Sequence, residues 1–143
     1  RDAITTLEKC LDYSNELTLD NVLTVTSGSV TEPMLLELLA DILNGHCDKA
    51  LLLFERIYMS GVDVSLFLKL WVEYLQNCTK YMITQTQEIT TLSDISVNRL
   101  NKALQLTPKV RNLLEEALQI KNVYSTDDLK ILIESWLIQV CSL

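Results

Sequence analysis

Residues that break helices are scarce in this chain, and each stands between apolar stripes rather than inside one. Three glycines and two prolines are all that its 143 residues contain. Gly28 follows the polar pair Thr26-Ser27, Pro33 and Pro108 stand in the first turn of a helical pattern, and Gly45 and Gly61 each close one. Proline is tolerated at a first helical position because the N–H it lacks would be unbonded anyway, and glycine suits a helix end because it accepts positive φ. With leucine frequent between these stops, helix is favoured throughout. The chain is predicted to be all-α.

Ala3, Ile4, Leu7 and Leu11 form the stripe of a first amphipathic helix that has no N-cap, so its natural start is expected upstream, in a larger protein. Thr18, with Asp20 and Asn21, starts a short helix carrying Leu19, Val22 and Leu23. The run Thr26-Ser27-Gly28-Ser29 is read as a domain boundary, dividing residues 1–28 from 29–143. Beyond it Met34, Leu35, Leu38, Leu39 and Ile42 face a core. Asp48 is expected to cap a helix with Leu51, Phe54, Ile57 and Tyr58 inward, widened by Leu52 and Leu53 to burial on two sides. Asp63 starts the longest helix, through Phe67, Leu70, Trp71, Tyr74, Leu75 and Cys78 to about Met82. Residues 84–92 lack a stripe and read as a mobile surface loop.

Ser93 or Asp94 caps a helix with Val97, Leu100, Ala103 and Leu104, and Thr107-Pro108 opens another with Val110, Leu113, Leu114, Ala117 and Leu118. Ser125-Thr126-Asp127-Asp128 has the form of a capping box with its acidic residues at the positive end of the dipole. The last helix is apolar almost all round, so it is either central in a bundle or half turned to another subunit. Leu129, Ile133, Trp136, Leu137 and Val140 are the interface candidates on it.

Several chemistries are disfavoured. Net charge is −7, which opposes general attraction to nucleic acid. Arg99, Lys102, Lys109, Arg111 and Lys121 make a locally basic stretch without interleaved aromatics, the pattern of a solvated helix face. Cys10, Cys47, Cys78 and Cys141 are dispersed without a Cys-x-x-Cys, as in a chain with reduced thiols. His46 beside Cys47 supplies too few ligands for a metal, and neighbours on a helix diverge. Isolated glycines exclude a phosphate-binding loop, and the adjacent pairs Glu115-Glu116 and Asp127-Asp128 suit a helix surface and a cap, so no catalytic residue is assigned. No apolar run approaches the ~18 residues that span a bilayer.

Two stretches carry a resemblance. Arg1-Asp2-Ala3, the helix with Leu7 and Leu11, and the acidic-capped short helix resemble the end of the lid domain of AAA+ clamp-loader ATPases, most nearly the gamma/tau subunits of bacterial DNA polymerase III. Residues 44–78 resemble that family's collar: a helix ending in Gly45, a polar pair, a helix containing Ala50, then Ser60-Gly61-Val62-Asp63 and a long apolar helix. Glu134 matches a glutamate of the family's last collar helix, whereas Asp127-Asp128-Leu129 stands where an arginine is often found.

The resemblance implies that residues 1–28 end a lid and 29–143 form a collar bundle of five or six helices. Arg1 would be the sensor-2 residue, reaching nucleotide phosphates from the lid of the intact parent. ATP and Mg would belong to the parent's ATPase domain, so this stretch is expected to have no cofactor and no activity of its own. Its partners would be other clamp-loader subunits, as homo- or hetero-oligomers in a cytoplasmic ring, with sliding clamp and DNA reached only through the ATPase modules. The competing expectation is a free-standing helical adaptor that takes a partner helix on its Leu51/Phe54 face or its last helix.

Overall fold

The computed structural model describes residues 30–123 and 128–141. Arg1, Cys10, the expected lid helices, the boundary at 26–29 and the cap residues 125–127 lie outside them. Among the described residues the chain forms six α-helices: α1 (Glu32–Leu43), α2 (Cys47–Met59), α3 (Val64–Thr84), α4 (Asp94–Asn101), α5 (Thr107–Val123) and α6 (Leu129–Cys141). Short 3₁₀ turns occupy Gln87–Ile89 and Leu104–Leu106, and no strand is present among these residues. The all-α expectation holds.

α3 is the axis of the bundle, packed against α5 along much of its length and against α1, α4 and α6. Asp63 caps it as expected, its carboxylate accepting from the Ser65 N–H at 3.3 Å. Its Phe67, Trp71, Leu75 and Cys78 are buried at the helical spacing of the stripe read from the sequence. Aromatic rings continue that line across three helices. Phe54 of α2 meets Phe67 edge-on at 5.2 Å between centroids, Phe67 stacks on Trp71 at 6.4 Å, and Trp71 meets Trp136 of α6 edge-on at 6.2 Å.

The turns follow the local chemistry. Pro33 lies in the first turn of α1, Gly45 takes φ +74° after it, and Gly61 takes φ +97° after α2. Four details depart from expectation. His46 rather than Asp48 is the residue before α2, leaving Asp48 in the first turn. The inward stripe of α2 is Ala50, Leu53, Phe54 and Ile57, while Leu52 is 63% exposed and Tyr58 also faces outward, so α2 is buried on one side only. α3 runs on to Thr84, whose hydroxyl donates to the Lys80 carbonyl at 2.8 Å, and Gln85 ends it with φ 56°. The segment beyond, read as loop, holds the 3₁₀ turn Gln87–Ile89, and the Gln87 amide donates to the Leu92 carbonyl and to Asp94 while Asn77 donates to Thr91.

α6 brings the correction that matters for function. Leu129, Ile133, Trp136, Leu137 and Val140 all point into the bundle, none more than 6% exposed. They are core, because α6 packs against α1, α2, α3 and α5 along that face. Phe54 is likewise buried, which removes the face on which an adaptor's partner helix was expected.

Candidate functional site

Three arrangements stand out above the core. The first clamps α4. Glu32, at the start of α1, accepts from the Ser93 N–H and hydroxyl, both at 2.8 Å, and from the Ser96 hydroxyl. Ser96 is buried and also hydrogen-bonds Tyr74 of α3 at 2.8 Å. Ser93 is at once the N-cap of α4 and a ligand of a distant carboxylate. Three helices therefore meet on one side chain. Replacing Glu32 with alanine strands these donors, and bonds to a charged acceptor contribute about 1.5–3 kcal/mol each. A loss of about 2–3 kcal/mol is expected in urea unfolding, with Glu32→Gln recovering part of it.

The second is a buried acidic pair on α1. Glu37 and Asp41, one turn apart, are 5% and 6% exposed. Burial is the main cause that raises both; with Glu37 and Asp48 adding to it and Lys49 and Arg99 opposing it, the Asp41 carboxyl is taken up to about 7. One Glu37 carboxylate oxygen and one Arg99 guanidinium nitrogen are buried without a hydrogen-bond partner. Arg99 thus acts on the pair through its field, not through a bond. It also borders a cavity of about 220 Å³ lined by apolar side chains of α1 and of the segment around α4, among them Leu36, Leu39, Leu100 and Leu106.

The third is an outer face shared by α2 and α6. Lys130 bridges Glu55 of α2 at 3.5 Å and Glu134 of its own helix at 3.3 Å, and lies 4.6 Å from the centre of the Tyr58 ring. Exposed bridges like these contribute little to stability. Beside them Leu52 and Met59 share the face of Glu55, and Ile131 and Ile138 share that of Glu134. These four are 63%, 71%, 66% and 51% exposed. Sequence reasoning marked α6 for contact but chose its inward side.

The basic stretch is dispersed by the fold. Arg99 faces the acidic pair and Lys109 acts on Cys141, leaving Lys102, Arg111 and Lys121 at the surface. Among the described residues no group of three His, Cys, Asp or Glu is placed to hold a metal ion, and no helix is long and apolar enough to cross a membrane.

Specific polar side chains here join helix to helix, and apolar ones are left over on an outer face: the arrangement is that of a helical packing domain. The family described as DNA polymerase III subunits gamma and tau domain III matches residues 17–142, and the chain belongs to that family. No curated protein and no solved structure matches it.

Proposed function

We propose that this chain is the collar of a clamp-loader subunit, holding subunits together in the ring that loads a sliding clamp onto primed DNA. Membership of the gamma/tau domain III family supports the clamp-loader role. The observation that carries the assembly role is the outer face of α2 and α6, where Leu52, Met59, Ile131 and Ile138 leave apolar surface beside a fixed row of charge. Surface of that kind marks a protein contact. Its occupant is a neighbouring subunit, either a second copy or another subunit of the loader. On this reading residues 1–28 are the end of the lid and Arg1 is its sensor-2 arginine. ATP, Mg and hydrolysis belong to an ATPase domain in the same parent, and clamp and DNA are reached through it.

Sedimentation equilibrium of the chain, alone and mixed with the other loader subunits, tests this. Ile131→Glu should weaken association at least tenfold while leaving the unfolding free energy within about 0.5 kcal/mol of wild type, as for an exposed site. Unchanged association would move the contact to another face. No association with any loader subunit would refute the collar role and leave the adaptor reading.

A further inference from the structure

The beginning of α2 and the end of α6 bring two thiols together. Gly45 holds its positive φ in the turn before α2, and a β-carbon there would stand 3.7 Å from the Cys141 carbonyl oxygen. That turn therefore lies against the last turn of α6. Cys47 is the first residue of α2 and Cys141 the last of α6, the two helices pack against each other, both residues are free thiols, and Cys47 lies close enough to act on the Cys141 thiol. Cys47 is half-buried and open to small reagents, whereas Cys141 is buried behind it. We infer that Cys47 and Cys141 are a redox-sensitive pair that closes to a disulfide when a small disulfide reaches Cys47, pinning the end of α6 to the start of α2.

The geometry favours a bond between these two over any other described cysteine. Disulfides need side chains that already face each other, since wrongly aimed pairs require backbone movement. Cys47 and Cys141 stand at helix ends that pack together, which places this pair to meet that condition. Cys78 does not. It lies fully buried on α3 against Tyr74, and burial pushes its thiol up to about 12, the behaviour of an inert core cysteine.

The reaction balances as two exchanges. The Cys47 sulfur, as thiolate, attacks one sulfur of the small disulfide and releases one small thiolate, which takes up the proton Cys47 lost. The Cys141 thiol then loses its proton and attacks the Cys47 sulfur, expelling the second small thiol. The protein gives up two protons and two electrons, and the small disulfide takes them up to become two thiols. Burial is the chief cause that lifts Cys141 to about 11, with Cys47 and Asp41 adding to it and Lys109 opposing it. The nucleophile of the second exchange is the Cys141 thiolate, so that step should quicken as pH rises.

The full chain is incubated with oxidised glutathione, the remaining thiols are blocked, and intact mass and peptide maps are recorded without reductant. The expected result is loss of two hydrogens, a linked peptide pair containing Cys47 and Cys141, and a melting temperature raised by several degrees that reverts on reduction. Cys47→Ser should abolish the link, and Cys78→Ser should leave it. A chain that stops as a glutathione adduct on Cys47 with Cys141 still free overturns the proposal. So does a link from either cysteine to Cys10 or Cys78 instead.

Discussion

Trp71→Ala is expected to lower the unfolding free energy by about 3–5 kcal/mol, the range for deleting a large aromatic from a packed core. Against the total of about 5–15 kcal/mol typical of a domain, that is a severe loss. Trp71 is fully buried and holds the centre of the ring series, touching Phe67 on its own helix and Trp136 on α6. Its removal opens a cavity where α3 meets α6, so the damage should spread to both. The indole N–H of Trp71 has no hydrogen-bond partner. Trp71→Phe, which keeps most of the ring volume and deletes that unsatisfied donor, should therefore cost no more than about 1.5 kcal/mol. Trp136 is a different case despite the same chemistry, since its Nε1 donates to Glu116 of α5 at 3.0 Å. Trp136→Phe should strand that carboxylate and cost more than Trp71→Phe. Urea unfolding of the variants decides it: a Trp71→Ala loss below about 2 kcal/mol would mean that the core closes over the gap.

The contrast between what was legible in the sequence and what was not follows the range of each interaction. Gly45, Gly61, Pro33 and the cap Asp63 act on backbone within a few residues and are readable from local chemistry, which also narrows the α4 cap to Ser93 or Asp94, of which Ser93 is the one used. The α3 stripe was readable too, because polar residues alternate with apolar ones around that helix and give the periodicity contrast. α6 lacks such contrast. With apolar residues on nearly every side, the pattern located a buried helix but could not separate the inward face from the exposed Ile131 and Ile138. The Glu32 clasp was invisible for another reason, since its partner Ser93 lies 61 residues along the chain. The burial of Glu37 and Asp41 does carry a local signal: α1 has apolar residues on all sides of them, and a helix enclosed all round must enclose its charges as well. The end of α3 was misplaced because Gln85 adopts a left-handed conformation that glycine would have announced.

That enclosed pair makes the second large effect one of pH. Asp41 is raised from 3.8 to about 7 in the folded chain, chiefly by burial and then by its neighbour Glu37. Around it stand Glu37 on α1, Asp48 and Lys49 on α2, Arg99 on α4, and Cys141 on α6. Between the two values the native state holds a proton that the unfolded chain releases, so stability falls as pH rises. The contribution is fully present below about pH 4 and lost as pH passes about 7. At about 1.4 kcal/mol per pH unit, the whole window is worth about 4 kcal/mol at most. Asp41→Asn keeps the shape and cannot ionise. It should therefore stabilise the chain by up to about 4 kcal/mol at pH 8, and by close to nothing below pH 4. Glu37, raised for the same main reason, should leave a smaller dependence of the same sign in the variant. Added salt should do little, because screening acts weakly on buried charge. Urea unfolding of both proteins at several pH values from 4 to 8 is the measurement. Converging curves at low pH locate the proton on Asp41, while curves that stay parallel would show that its carboxylate is ionised in the fold and held by Lys49 and Arg99.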